Sequence, residues 1–307
     1  MASGLDWASD GRDWPHREHS EFLEVSGQRW HVQRWPAPFA GAPTALLLHG
    51  TGAATHSWRT LAPLLAPHMG LVAPDLPGHG FSGAAPIGRA GLEGMAQAVR
   101  MLLRSLGEAP VISIGHSAGA AIAVRLRLRD DANIAAGITP PARHTLVGLN
   151  AALLPLHGIA GRFFSPAAKL LALNPLAPHF FSWHAAQASV LARLLHSTGS
   201  KLDAEGTALY RRLIESPAHV AGALAMMAQW DLPALARDLV GLQTPLHLVV
   251  AEGDRTIPPA DAARVQRLLP STTLHRLPQL GHLAHEEDAA QVAALLLKLV
   301  PVPGPQE

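Results

Sequence analysis

The peptide VISIGHSAGAAIAV at residues 111–124 constrains this chain more than any other stretch. An apolar run of strand length ends in Gly115-His116-Ser117-Ala118-Gly119, and an alanine-rich run of helical character follows at once. A G-x-S-x-G turn in that setting holds a serine hydroxyl out on a sharp, strained bend that tolerates little bulk on either side. The glycines relieve the clashes, and the following helix aims its N-terminal dipole at negative charge developing in front of the serine. The plainer reading is a tight turn with an incidental serine. From this chain's own Gly and Ser frequencies the bare pattern arises by chance about 0.1 times, and the strand-turn-helix context lowers that further.

Around this peptide, short apolar runs alternate with longer helical patterns, as strand-helix units around a parallel sheet require. Residues 22–25 and 29–34 read as a hairpin turned by Ser26-Gly27. Further strands are expected at 45–48, 71–73, 111–114, 145–149, 245–250 and 273–277. Helices are expected at 90–106, closed by Gly107, at 118–128, and over an amphipathic tail at 286–299. Between Leu149 and Pro245 the pattern turns helical and proline-bearing, with no convincing strand. The chain therefore divides into a core of residues 1–149 and 241–307 and a helical cap at 150–240, placed over the C-terminal edge of the sheet.

A hydroxyl becomes a nucleophile only when a base takes its proton. Eighteen histidines are available, so position must choose. Leu280-Gly281-His282 follows the last expected strand and precedes the tail helix, which puts His282 on the same sheet edge as Ser117. His116 adjoins the serine, but its side chain should point away; His285, in HLAHEE, reads as a surface or helix-start residue. The acid should leave the sheet between nucleophile and base in chain order. LHLVVAEGDRTIPP puts Asp254 on the loop after residues 245–250, where a carboxylate can orient the base. Glu252 sits too close to the strand, Asp261 falls on the next helix, and Asp75 reads as structural. An oxyanion hole is expected from the amides of Thr51, in the glycine-rich turn His49-Gly50-Thr51-Gly52, and of Ala118 behind the nucleophile.

Composition removes several other classes. Hydrophobic residues make up 48% and charged residues 15%, enough to bury a sizeable core. The net charge of +1 gives no electrostatic reason for a nucleic-acid partner. Cysteine is absent, so disulfides, thiolate zinc sites and a cysteine nucleophile are excluded. His282-x-x-His285 lacks the HExxH order, no acidic cluster has calcium-loop spacing, and no GxxxxGK[ST] occurs, so no metal, cofactor or ATP site is expected. The opening MASGLDWASDGRDWPHREHS lacks the apolar core of a signal peptide. No run of about 18 apolar residues is present. The expected setting is cytoplasmic.

HGTG at 49–52, DLPGHGFS at 75–82, GHSAG at 115–119, GDRTIP at 253–258 and GH at 281–282 resemble the capped α/β-hydrolases over nearly the whole chain. The resemblance implies an α/β fold with an eight-stranded, mostly parallel sheet flanked by helices, carrying an inserted helical cap. Relatives with an aspartate nucleophile are set aside by Ser117. Epoxide hydrolases also use paired cap tyrosines, and Tyr210 is the only tyrosine here. DWASDGRDWPHREHS at 6–20, LLLHGTGAATHSWR at 46–59, LVGLNAALLP at 146–155 and ALAMMAQWDL at 223–232 further resemble the magnesium-chelatase accessory proteins of bacteriochlorophyll biosynthesis (BchO type). That likeness implies magnesium-chelatase subunits as partners, a porphyrin as small-molecule ligand, and peripheral contact with the photosynthetic membrane surface. Any energy for magnesium insertion would then come from other subunits.

The cap supplies Phe163, Phe164, Phe180, Phe181, Trp183, Met226, Met227 and Trp230. Either they pack cap helices on the core, or Phe163, Phe181, Met226, Met227 and Trp230 line a pocket for a large flat apolar ligand. Two functions stay open at this level. One is a serine hydrolase acting on an ester, amide or lactone; the other is a non-catalytic porphyrin-binding or assembly protein on the same fold. The aligned acid and base favour the first, because a binder has no need of them.

Overall fold

The computed structural model describes residues 4–137, 144–155, 174, 176–185 and 187–300. In chain order, β1 (Ser20–Val25) and β2 (Gln28–Trp35) form the hairpin. Its turn is made by Ser26 and Gly27 at φ 52° and 76°, the double left-handed turn that matches strand twist. Next come β3 (Thr44–Leu48), α1 (Ala62–Leu65), β4 (Gly70–Pro74), α2 (Leu92–Leu106), β5 (Ile112–His116), α3 (Ala118–Ala135) and β6 (Thr145–Leu149). The helices α4 (Ala177–Ala185), α5 (Ala188–Ser197), α6 (Ala204–Ile214), α7 (Pro217–Ala228) and α8 (Leu232–Asp238) follow. The chain closes with β7 (Leu246–Ala251), α9 (Pro259–Leu268), β8 (Thr273–Leu277), α10 (Ala284–Glu287) and α11 (Ala289–Leu299).

The eight strands form one sheet in the order β1-β2-β4-β3-β5-β6-β7-β8. β1 and β2 pair antiparallel, as do β2 and β4, and every later pair is parallel. Period-two side-chain alternation divides each central strand between two cores. Leu46, Leu48, Leu146, Leu248 and Val250 join a cluster with Met95, Val99 and Ile122 of α2 and α3. Ala45, Leu47, Ile114, Val147, Val249 and Ala251 join one with Leu65 of α1 and Val292 and Leu296 of α11. Each fully buried Leu or Val side chain contributes about 1.5–3 kcal/mol of burial, so the strands are held from both faces.

Local chemistry sets the element ends. Gly107, at φ 67°, closes α2 as expected from its freedom in the left-handed region. α3 runs past residue 128 to Ala135, with Arg127 and Asp131 paired one turn apart at 2.8 Å. The tail is two helices, not one. The break falls at Asp288 (φ −142°, ψ 77°), whose side chain accepts from Gln291 N–H to start α11.

Both ends of the 150–240 stretch pack into the main core. Leu153 and Leu154 at one end, and Leu232, Leu235 and Leu239 at the other, belong to the α2–α3 cluster. The opening segment is tied to the helices between β6 and β7. Trp14 packs with Phe81, Leu209 and Leu213, and Arg212 binds the Asp13 carboxylate at 2.8 and 3.0 Å.

Candidate active site

Ser117 follows β5 and opens α3, with φ 51° and ψ −115°. A non-glycine residue at positive φ stores strain that the surroundings must hold. Here the Ser117 N–H donates to Leu149 O at 3.0 Å, and its carbonyl accepts from Ala120 N at 3.2 Å and Ala152 N at 3.1 Å. The turn also needs Gly119: a Cβ there would lie 2.0 Å from Leu48 O. The glycine lets α3 start directly against the end of β3, next to the His49-Gly50-Thr51-Gly52 turn. A Cβ on Gly50 would lie 3.2 Å from that of Ser117, so the loop of Thr51 borders the serine. Ala118 is the first residue of α3 and is buried, leaving its amide among the unpaired donors of a helix start.

The loops after β7 and β8 bring Asp254 and His282 together. His282 Nδ1 lies 2.8 Å from Asp254 Oδ2, with both side chains buried. The other carboxylate oxygen accepts from Thr256 N at 2.7 Å and Ile257 N at 2.9 Å. The carboxylate is thereby oriented from its own loop, and its claim on Nδ1 leaves Nε2 as the basic nitrogen of His282. The imidazole of His116 lies 4.7 Å from that of His282, centroid to centroid, so base and serine lie on adjoining loops. Ser117 Oγ forms no hydrogen bond to His282 among the described residues, an arrangement common before substrate binds.

The base loop is anchored mainly from outside its own strand. Asn150, at φ 45°, donates through Nδ2 to the carbonyls of Gly281 (3.0 Å) and His282 (2.8 Å) and accepts from Ala251 N at 2.8 Å. His116 Nε2 donates to the His282 carbonyl at 2.9 Å. The ring thereby supports the loop of His282. One carbonyl, that of Thr198 just after α5, accepts from both Arg255 N (3.1 Å) and His282 N (3.3 Å), and Ser200 Oγ accepts from Leu283 N at 2.8 Å. Asn150, Thr198 and Ser200 were not singled out from the sequence. Asn150 alone carried a local signal, an asparagine at a strand's carboxyl end, where its side chain tolerates positive φ.

His285 does begin α10, but it is not on the surface. It is fully buried, its ring 4.5 Å from that of His116 and 4.9 Å from that of Trp58. Burial pushes its imidazole down to about 3. Glu286 beside it is also buried, held by Arg59 Nη1 at 2.7 Å and the Tyr210 hydroxyl at 2.8 Å. The rival carboxylates lie elsewhere. Asp75 is wholly buried and accepts from Thr55 N (2.7 Å), Phe81 N (2.9 Å) and His31 Nδ1 (2.7 Å). Burial opposes its ionisation, yet His31 and the amides hold it well below the usual carboxylate range. Asp261 pairs with Arg264 at 2.8 Å, and Glu252 faces Arg276 at 3.7 Å.

The apolar residues of the helical segment divide by exposure. Met226 is fully buried, its sulfur 3.5 Å from Thr51 Oγ1. Phe181, Met227 and Trp230 are half-buried, Trp230 against the α2–α3 core. Phe180 and Trp183 of α4 are 59% and 68% exposed, and thus do not serve as core packing. Phe163 and Phe164 lie outside the described residues. A cavity of about 190 Å³ is lined by Trp30, Pro77, Arg89 and Met101, on the hairpin side of α2. The described residues hold no group of three or more His, Cys, Asp or Glu able to ligate a metal ion.

The profile of the alpha/beta hydrolase family matches residues 45–295, a span that contains the serine turn, the acid loop and the base loop. The chain belongs to the alpha/beta hydrolase family. It is 39% identical over 286 residues to the magnesium-chelatase 30 kDa subunit of Rhodobacter capsulatus, covering 93% of this chain and 95% of that protein. It is 30% identical over 254 residues to the pimeloyl-(acyl-carrier protein) methyl ester esterase of Aromatoleum aromaticum, covering 81% and 95%. A solved alpha/beta hydrolase fold protein from Burkholderia ambifaria superposes with a TM-score of 0.71 at 23% identity, covering 97% of this chain and all of that one. The sequence likeness to magnesium-chelatase accessory proteins thus stands beside the fold likeness to hydrolases. No helix among the described residues is long and apolar enough to cross a membrane.

Proposed function

We propose that this chain is a serine hydrolase acting on an ester, amide or lactone bond, with Ser117 as nucleophile, His282 as base and Asp254 as its orienting acid. The observation that carries the reading is the buried His282–Asp254 pair at 2.8 Å beside a serine held at φ 51° on a strand-helix turn. In the first half-reaction Ser117 Oγ bonds to the acyl carbon and its proton passes to His282 Nε2. The carbonyl electrons move onto oxygen, and the Thr51 and Ala118 N–H groups donate hydrogen bonds to the oxyanion so formed. Collapse breaks the bond to the leaving alcohol or amine, which takes the proton from His282. Water repeats the sequence on the acyl-serine, returning free acid and free serine. Asp254 stabilises the imidazolium in both halves. Helices α4 to α7 serve as the cap over this site.

The test is covalent labelling with a fluorophosphonate probe. Wild-type protein should be labelled and Ser117→Ala should not, with turnover of short p-nitrophenyl esters lost in parallel. Equal labelling of the two proteins would remove Ser117 from the chemistry.

The chelatase-subunit relative and the exposed Phe180 and Trp183 favour a second component, in which the substrate or ligand is a porphyrin of the magnesium branch and the partners are chelatase subunits. Titrating protoporphyrin fluorescence with Ser117→Ala protein separates the two. Saturable binding without turnover supports a porphyrin ligand, and no binding returns the substrate question to small esters.

A further inference from the structure

Helix α7 lies across two glycine-rich loops, 49–54 after β3 and 75–83 after β4, and touches them through His219, Gly222 and Met226. His219 Nε2 donates to Gly52 O at 3.1 Å, and its Nδ1 accepts from Gly80 N–H at 3.0 Å. Three residues on, the backbone of Gly222 sits so close to Gly78 that a Cβ there would lie 1.9 Å from Gly78 O. One further turn brings Met226 to the Thr51 hydroxyl. The spacing i, i+3, i+7 puts all three on one helical stripe. His219 is buried, and its two bonds are those of one neutral tautomer. A cation could not accept from Gly80 N–H. Burial lowers this imidazole to about 4, which keeps it neutral at working pH.

Beneath it, His49 repeats the pattern in the opposite tautomer. Its Nδ1 donates to Gly50 O at 2.8 Å and its Nε2 accepts from Leu76 N–H at 2.9 Å. The Gly50 carbonyl belongs to the same peptide plane as the Thr51 N–H. The rings of His49, His79 and His219 follow one another at centroid distances of 5.4 and 5.3 Å. The 49–52 turn is therefore held at Gly50 by the core and at Gly52 by α7, with the Thr51 amide between the two holds. Gly52 itself is at φ 76° with nothing within 4 Å of a Cβ, so side-chain packing does not fix it.

We infer that His219 is a positioning residue, through which helix α7 sets the Thr51 amide at the oxyanion site. The inference rests on the serine-hydrolase reading above and adds a residue of the inserted helices to that machinery. It makes the position of an electrostatic donor depend on α7 being seated. A donor misplaced by a fraction of an ångström loses much of its effect on the transition state while leaving substrate binding intact.

The experiment compares His219→Gln, His219→Asn and His219→Ala in the full chain. Glutamine can keep the donor toward Gly52 O; asparagine, which matches only the Nδ1 position, keeps the acceptor for Gly80 N–H alone. On a p-nitrophenyl ester, Asn and Ala should lower kcat by about 10- to 100-fold with KM within about twofold, and Gln should restore most of the loss. In hydrogen-exchange mass spectrometry, peptides spanning 47–54 should exchange faster in the Asn and Ala variants than in wild type or Gln. Equal rates and equal exchange for Gln and Asn, or three variants slowed only in proportion to a common loss of Tm, would overturn the inference. Wild-type protein that is inert to fluorophosphonate but shows the exchange split keeps the loop tie and sinks the hydrolase reading. Normal labelling with no split does the reverse.

Discussion

The Asn150 side chain makes three hydrogen bonds, two to the loop of His282 and one to the end of β7, with its backbone at φ 45°. The amide must be a donor and an acceptor at once, which aspartate is not. Asn150→Asp should therefore turn a carboxylate toward two carbonyls and shift the base loop, lowering the rate of fluorophosphonate labelling by about 10- to 100-fold. Labelling at the wild-type rate would show that His282 is placed without it. At this scale the sequence was informative where chemistry is contiguous. Gly115 to Gly119 names its own turn, and Asp254 and His282 follow recognisable strand ends. Thr198 and His219 were not legible because their partners lie far away in the chain, and the place of Asn150 at a strand end did not name its partners; no local pattern marks a carbonyl or side chain that bonds to a distant loop. His285 misled for a related reason. The acids beside it suggest a wet surface, yet Glu286 is buried against Arg59 and Tyr210.

Most strands could be read from short apolar runs, because burial on both sides of a parallel sheet leaves little freedom in composition. Helix ends were harder where a polar contact, and not periodicity, decides them. The apolar repeat runs from Ala289 to Leu299, and the acids Glu286 to Asp288 precede it without a Gly or Pro break, so one helix was expected over 286–299. The break at Asp288 arises because α10 follows the base loop while α11 packs on the sheet, and the Asp288 carboxylate caps the second start. Asp288→Ala should cost about 1 kcal/mol, as lost N-caps do. Urea unfolding would measure it. No change in midpoint would mean that α11 is held by Val292 and Leu296 alone. Near the end of the inserted stretch, Leu232, Leu235 and Leu239 have helical spacing and pack against the sheet layer.

For the molecule as a whole, the unusual feature is how many neutral imidazoles it encloses. His49, His56, His79, His116, His219 and His285 are all buried, and burial holds each below its ordinary value. The folded values are depressed, so the unfolded chain binds more protons as soon as pH falls below its own value of about 6.5. Stability present above that pH is lost progressively toward the folded values, about 4 for His219 and about 3 for His285. Glu286 acts in the opposite sense: burial pushes it up to about 7 against Arg59 and Tyr210, so its contribution is lost as pH rises from the usual carboxylate range through about 7. His219 and His285 each forfeit on the order of 2 kcal/mol by pH 5, and the other four buried histidines lose stability in the same direction. Urea unfolding followed by circular dichroism should show the midpoint falling as pH drops from about 6.5 to 4; a midpoint unchanged over that range would contradict this. The carbonyl of Thr198 has a consequence of another kind. It joins the acid loop to the base loop from a position inside the inserted helices, with Ser200 fastening the next residue. Chimeras that exchange these helices with a relative's, to transfer substrate preference, should therefore leave residues 198–200 with the recipient, since a crossover on their far side would take away the clasp that both loops share.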